Sequence, residues 1–288
     1  MKVEKVIKAF SLKEALAALK ENEGRAELIA GGTDLLVKIR ENHNKKPVIV
    51  DISDVPECRG IRFEADYIAI GACAKYSELV ESDRVMRQLP GLWEASKSVG
   101  APQIQNLGTV GGNIANASPA ADAVPPLLAM EALLEIVSNE GCRTVALKDF
   151  FKGKGQADLN EGEIITQIII PRPGSAHINV QFEKLGLRNA LAISRLSAAA
   201  AVELSEDKVI EKVCVASGSI GLTGMREPEL EAFLTGKKLD EALISSACDL
   251  FSEVVSSRLS GRGTMPFKRE AVRGVFGNAL KKALRASL

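Results

Sequence analysis

The 288-residue sequence has little of what most catalytic centres are made from. Its only histidines, His43 and His177, lie far apart in polar or linker contexts, so a histidine-based metal or acid–base centre cannot be assembled from them. Five cysteines stand at 58, 73, 142, 214 and 248, and no two approach a CxxC spacing. That excludes a sequence-local iron–sulfur or zinc element, and the thiols read as reduced, buried small hydrophobes. Aromatics make up 4% with one Trp, too few for a base-stacking platform. Neither charge predominates: 37 basic and 37 acidic side chains cancel, which argues against nucleic acid as a partner. The longest apolar stretch, residues 123–134, is broken by Glu131 and too short to span a bilayer. The opening residues alternate in charge and lack the apolar core of a secretion signal, so a cytoplasmic location is expected. There is no Walker motif and no GxGxxG after a strand, which disfavours a nucleoside-triphosphate or Rossmann site.

What is present suits a packed α+β protein of two or three units, with 46% hydrophobic and 26% charged residues. Ser11-Leu12-Lys13-Glu14 fits a capping box, and Ala15, Leu16, Ala18 and Leu19 predict a helix over 12–21. Strand patterns follow at 27–30 and 47–52, with a short helix around Leu35, Leu36 and Ile39 between them. Residues 1–60 thus form a first α/β subdomain. A second, 61–173, carries a strand at 67–70, helical patterns over 77–99, an irregular passage over 100–112 and a helix over 122–132. A hairpin of 133–137 with 143–147, a surface loop over 151–163 and a buried isoleucine strand over 164–170 complete it. After the linker-like Pro171-Arg172-Pro173-Gly174, residues 174–288 read as an antiparallel meander at 178–187, 195–204 and 208–218. Helices over 227–235, 240–257 and 267–286 follow, an order expected of a separate α+β domain.

Two glycine doublets stand out, in Ile29-Ala30-Gly31-Gly32-Thr33-Asp34 and in Thr109-Val110-Gly111-Gly112-Asn113. Glycine in such turns permits positive φ and close approach of a ligand, and successive N–H groups can converge on a phosphate. With 24 glycines in the chain, two doublets are also what chance supplies, so ordinary turns remain the alternative at this point.

The wording around the doublets carries more. Residues 28–38 resemble the first FAD loop of the molybdenum hydroxylase flavoprotein subunits, of the xanthine dehydrogenase and carbon monoxide dehydrogenase type. Residues 100–114, Gly-Ala-Pro-Gln-Ile-Gln-Asn-Leu-Gly-Thr-Val-Gly-Gly-Asn-Ile, resemble the second. Ser118-Pro119-Ala120-Ala121-Asp122 and Phe182-Glu183-Lys184-Leu185 continue the match, which spans nearly the whole chain. Departures are Gln105, where the family often has Arg, and the lack of an aromatic and a proline near residues 5–10. A long cysteine-bearing insertion found in one branch is also missing.

The resemblance implies a two-part FAD-binding domain of the vanillyl-alcohol oxidase and carbon monoxide dehydrogenase flavoprotein type, followed by a small α+β domain. It implies non-covalent FAD in a cleft between the first two units, held by Leu28, Ile29, Ala30, Gly31, Gly32, Thr33 and Asp34. Thr109, Val110, Gly111, Gly112 and Asn113 would contribute from the second loop, with Ile165 beside them. Both doublets would offer backbone N–H groups to the pyrophosphate. Asp122 would accept from ribose or ribityl hydroxyls, with a helix N-cap as its alternative role, and Lys184 would lie near the flavin, with a solvated lysine as the alternative. The implied activity is that of an oxidoreductase subunit. Electrons would come from [2Fe–2S] clusters on a small subunit, fed by a molybdopterin-binding large subunit that oxidises a purine or other N-heterocycle. They would leave to NAD, a quinone, ferredoxin or oxygen. A free-standing FAD-dependent oxidase is the alternative, and it would need acid–base groups of its own.

Overall fold

The computed structural model describes residues 2–44, 46–172, 180–188 and 191–286. The first unit is a three-stranded parallel sheet, β1 (Lys5–Lys8), β2 (Ala26–Ile29) and β3 (Val48–Asp51), with β3 central. Helix α1 (Leu12–Glu21) starts where expected. The Ser11 hydroxyl accepts from the Glu14 N–H at 3.2 Å, and the Glu14 carboxylate reaches back to the Phe10 N–H at 2.8 Å. Its apolar face, Ala15, Leu16, Ala18 and Leu19, packs on Val48, Val50 and Ile52. Helix α2 (Leu35–Arg40) lies between β2 and β3. Strand β1 is an addition to the expected pattern.

In the second unit an antiparallel sheet is ordered β4 (Ile61–Phe63), β5 (Tyr67–Gly71), β10 (Ile164–Pro171), β6 (Leu133–Ser138), β7 (Gly141–Ala146). Between β5 and β6 the chain runs through α3 (Tyr76–Val80), α4 (Asp83–Gln88), α5 (Pro90–Lys97), α6 (Pro102–Gln105), α7 (Val110–Ala115) and α8 (Val124–Ala129). Strands β6 (Leu133–Ser138) and β7 (Gly141–Ala146) form the hairpin, and α9 (Leu147–Phe150) follows. The stretch after it, expected as loop, holds a small hairpin of β8 (Phe151–Gly153) and β9 (Gln156–Ala157). The isoleucine-rich β10 (Ile164–Pro171) sits in mid-sheet between β5 and β6. Its first residues, Ile164–Thr166, are all buried, with Ile165 in the second unit's core and Ile164 in the first unit's, and from Gln167 onward buried and half-buried residues alternate.

The third unit is an antiparallel sheet, β11 (Val180–Leu185), β12 (Leu196–Leu204), β13 (Ile210–Gly218) and β14 (Met225–Arg226), with α10 (Pro228–Leu234), α11 (Glu241–Arg258) and α12 (Met265–Ala286). Period-two alternation divides its side chains between two cores. Ala198, Ala200, Val202, Val213 and Val215 pack against α11 and α12, where Phe251 and Phe276 meet edge-to-face at 5.1 Å. Phe182, Ala199, Cys214 and Ala216 join the second unit's core instead. Lys184, two residues beyond Phe182, therefore points toward the second unit. Four of the five cysteines are buried as expected, but Cys142 on β7 is exposed. His43 is exposed beside Glu41, and His177 lies outside the described residues, as do residues 173–179 of the expected linker and strand start. Among the described residues no helix is long and apolar enough to cross a membrane.

Candidate cofactor site

The first loop leaves the carboxyl end of β2 and turns into α2. Gly32 has φ of +70°, a left-handed conformation that favours glycine. Gly31 is glycine for another reason: a Cβ there would lie 2.0 Å from the Leu107 carbonyl oxygen, on the second loop. The two loops are thus in backbone contact, and any side chain at 31 would drive them apart. Gly32 accepts from the Leu36 N–H at 2.9 Å. Among the described residues, the N–H groups of Gly31, Gly32, Thr33 and Asp34 have no protein acceptor. Four adjacent unsatisfied donors at the edge of a cleft are a ready anion site.

The second doublet is built differently, and two expectations fail on it. The passage over 100–112 is not irregular: Gln105 closes α6 by donating to the Lys97 and Val99 carbonyls at 3.0 and 3.1 Å. Nor do Gly111 and Gly112 adopt positive φ or present free donors. They lie in the first turn of α7, whose N-cap is Thr109. The Gly111 N–H donates to the Ala72 carbonyl at 2.8 Å, and the Gly112 N–H to the Thr109 hydroxyl oxygen at 3.1 Å. Gly111 is required because a Cβ would stand 2.5 Å from the Ala72 Cβ. At Gly112 a Cβ would meet only Thr109 Oγ1, at 2.8 Å, and otherwise open space. The Thr109 hydroxyl accepts from Gly112, so its own proton stays available to a ligand.

The cleft between the loops is laced by side chains. Asn116 donates to Asp34 at 3.1 Å and accepts from Lys38 at 2.9 Å, tying α7 to the start of α2. Lys184 reaches across from β11 to Asp122 at 2.6 Å and donates to the Ser98 carbonyl at 2.9 Å. Both partners of this ion pair are about nine-tenths buried, so Lys184 is no solvated lysine. Asp122 is no N-cap either, because Ala123 holds that position of α8. Burial pushes the Asp122 carboxyl up to about 6, while the Lys184 ammonium pulls the other way. Burial, with Asp122 and Asp34 nearby, also pushes the Tyr76 hydroxyl well above its ordinary value, so it stays a proton donor.

Three buried polar atoms around this cleft have no partner: Tyr76 OH, Asn113 Oδ1 and Asp122 Oδ1. Leaving such atoms unpaired costs about 1–3 kcal/mol each, so their clustering is the mark of a polar ligand. A donor hydroxyl and two acceptor oxygens beside open backbone donors fit FAD, which offers ribityl hydroxyls and a pyrophosphate together. Leu28 and Ile29 are paired with Val50 and Asp51 in the sheet, Ala30 and Thr33 are half-buried at its exit, Val110 is wholly buried, and Ile165 pairs with Ile136 in the core. Tyr76, Asn116 and Lys38 went unnoticed in the sequence. Their roles depend on residues 32 to 82 positions away, and only the rarity of tyrosine, two in the chain, singles out Tyr76.

Comparison with known proteins agrees with this geometry. Residues 1–173 match the model of the FAD binding domain in molybdopterin dehydrogenase, and residues 181–283 that of the CO dehydrogenase flavoprotein C-terminal domain. The nicotinate dehydrogenase FAD-subunit of Eubacterium barkeri is 33% identical over 86% of this chain and 85% of its own length. The xanthine dehydrogenase FAD-binding subunit of Escherichia coli O157:H7 is 30% identical over 97% and 96%. Among solved structures, a chain of carbon monoxide dehydrogenase from Hydrogenophaga pseudoflava superposes with a TM-score of 0.89 at 27% identity, covering 99% of this chain and 98% of that one. A chain of quinoline 2-oxidoreductase from Pseudomonas putida 86 gives 0.89 at 25% identity over the whole of both. Fold and cleft together define an oxidoreductase flavoprotein subunit. Within that class, the chain belongs to the family of FAD-binding subunits of the molybdenum hydroxylases.

Proposed function

We propose that the chain carries electrons within a molybdenum hydroxylase complex, from [2Fe–2S] clusters on a small subunit to an external acceptor. Purines or other N-heterocycles are oxidised at a molybdopterin-binding large subunit. The observation that carries the reading is the cleft itself: four open N–H groups beside three buried, unpartnered polar atoms. The N–H groups of residues 31–34 hold the pyrophosphate. Asn113 and the ionised Asp122 accept from ribityl or ribose hydroxyls, Tyr76 donates to one, and Lys184 fixes Asp122 in place. When bound, FAD supplies one- and two-electron chemistry, which suits a position between single-electron clusters and an acceptor. The contact of Gly31 with Leu107 sets the width of the cleft, and the Asn116 bridge holds it there. The test is the purified complex. Molybdenum, iron and flavin should co-purify with the chain, and heterocycle addition should bleach the flavin. The chain alone should bind FAD without reducing it when the same heterocycle is added. Substrate-dependent flavin reduction by the isolated chain, free of molybdenum and iron, would instead favour a free-standing oxidase.

A further inference from the structure

Two of the buried thiols face each other beneath the second cofactor loop. The β4–β5 ladder pairs Ile61 with Ile70, Arg62 with Ala69 and Phe63 with Ile68, and the same register carried three residues further sets Cys58 opposite Cys73. The hydrogen bonds continue the pairing. The Gly71 N–H donates to the Gly60 carbonyl at 2.8 Å, and the Cys73 N–H to the Cys58 carbonyl at 2.7 Å. With standard backbone lengths, that bond holds the two Cα atoms within about 6.6 Å, inside the span a disulfide bridges. Residues directly opposite in a ladder project from one face, and here the two thiols are in hydrogen-bond contact. Both lie in the first unit's core with Ile52, Val55 and Ile164, and the Cys73 thiol also donates to the Ile52 carbonyl at 3.4 Å. The Cys58 thiol beside it and burial push the Cys73 thiol far above the ordinary range, so the pair stays protonated and reduced while this core is closed. The other three cysteines lie apart, on β7, β13 and α11.

The segment that carries Cys73 also supports the cofactor cleft. The Ala72 and Ala74 carbonyls on either side of it accept from the Gly111 and Val110 N–H groups at 2.8 and 3.1 Å. Lys75 bridges to Thr109, and the Tyr76 N–H donates to the Gly108 carbonyl at 3.1 Å. The start of α7 and Tyr76 are thus both positioned by residues 72–76. The packing leaves no slack, since a Cβ on Gly111 would stand 2.5 Å from the Ala72 Cβ and one on Gly71 2.4 Å from the Cys58 carbonyl oxygen. We propose that Cys58 and Cys73 are a reversible disulfide site, closed by hydrogen peroxide, and that closing it weakens the hold of the cleft on FAD. The effect on FAD rests on the flavin reading above. In a hydrogen-bonded antiparallel pair the Cβ atoms stand about 5.5 Å apart, whereas a disulfide holds them at roughly 3.5–4.5 Å. Closing therefore draws residue 73 toward residue 58 by about 1 Å and shifts Ala72 and Ala74 against α7. The same strain makes the bond easy to reduce. During a local opening one thiol, as its thiolate, attacks a peroxide oxygen and gives a sulfenic acid and water. The second sulfur then displaces hydroxide from the sulfenic sulfur, and its proton leaves with that hydroxide as a second water. Two sulfur-bound hydrogens and two electrons leave the pair, and one peroxide is reduced to two waters.

The test treats the full chain, flavin-free and FAD-saturated, with hydrogen peroxide, maps its thiols by peptide mass spectrometry and titrates FAD by calorimetry. Peptides joined through Cys58 and Cys73 should appear, and the oxidised chain should bind FAD about tenfold more weakly. Dithiothreitol should restore the affinity. Because coupling is reciprocal, saturating FAD should shift the dithiol–disulfide ratio in a glutathione buffer toward dithiol by that same factor. Cys58→Ser should keep the affinity of the reduced chain and lose the peroxide response, while Cys142→Ser, at the exposed cysteine, should keep both. Should Cys58→Ser not fold, the wild-type mass map and its reversal by dithiothreitol decide. Peroxide that oxidises Cys142 and leaves Cys58 and Cys73 as thiols would overturn the proposal, as would a bond between them that leaves FAD affinity unchanged. A reduced chain that takes up no FAD would instead overturn the flavin reading and the effect on the cofactor with it, while the mass map still decides whether the bond forms.

Discussion

The two glycine doublets look alike on paper and work differently in the fold. In each, the first glycine is demanded by backbone packing: Gly31 against Leu107, Gly111 against Ala72. The second glycines part company. Gly32 holds a left-handed turn and leaves the N–H groups around it open, whereas Gly112 is an ordinary helical residue whose N–H is taken by Thr109. The first loop therefore supplies the donors. The second supplies the wall against which they are held, together with Asn113. A doublet motif thus marks close approach, but the approach is chiefly of one protein segment to another.

The largest effect should come from forcing the inter-loop contact open. Gly31→Val places a methyl-bearing carbon against a carbonyl that cannot rotate away, and should destabilise the fold by about 3 kcal/mol and abolish FAD binding. Gly111→Val should cost about as much for the same reason. Urea unfolding and flavin content measure both. If Gly31→Val is tolerated, the loops are not in the contact described.

Next comes the pair that spans the cleft from the third unit. Lys184→Met should destabilise by about 3 kcal/mol at pH 7.5, because it leaves Asp122 buried without its cation. Since burial lifts the Asp122 carboxyl to about 6, the folded chain binds that proton more tightly than the unfolded one. This group's contribution is therefore present below the ordinary carboxylate range and lost as pH rises through about 6. The penalty of Lys184→Met should accordingly shrink at pH 5. FAD affinity should move the opposite way and weaken as pH falls below about 6, because only the ionised Asp122 accepts from two hydroxyls. Asp122→Asn should flatten that pH dependence, and a profile that stays steep would remove Asp122 from the site.

A smaller effect is expected at Gly32. Gly32→Ala should cost about 1–2 kcal/mol for its positive φ and weaken FAD through the displaced N–H groups. Thr109→Ala should cost about 1 kcal/mol as a lost helix cap and raise the flavin dissociation constant modestly.

The sequence patterns that were legible are those governed by local periodicity. Helices at 12–21 and 240–257, the hairpin across residues 139–141, and the isoleucine strand all carry their own signal, and the structure places them within a few residues. Strand β1 was not legible, because Lys-Val-Ile-Lys is an exposed edge whose partner, β3, lies over forty residues on. Helices α6 and α7 were hidden by Pro102 and the second doublet. A four-residue helix and a six-residue helix have little intrinsic stability, and contacts such as Gly111 N–H to Ala72 hold them. For the site, resemblance named both loops, Asp122 and Lys184 as candidates. It did not reveal which donors are free, or that Tyr76 and Asn116 close the cleft, since those facts depend on partners far away in sequence.

The central claim is that the N–H groups of residues 31–34 hold the pyrophosphate against the wall formed by the start of α7, and Gly112 on that wall tests it most directly because a side chain there meets little else in the protein. Calorimetric titration of flavin-free wild type and Gly112→Val with FAD is the measurement. One equivalent should bind wild type, and the variant should bind about tenfold or more weakly while its stability changes by no more than about 1 kcal/mol. A Gly112→Val chain that binds one equivalent of FAD with wild-type affinity would contradict the assignment.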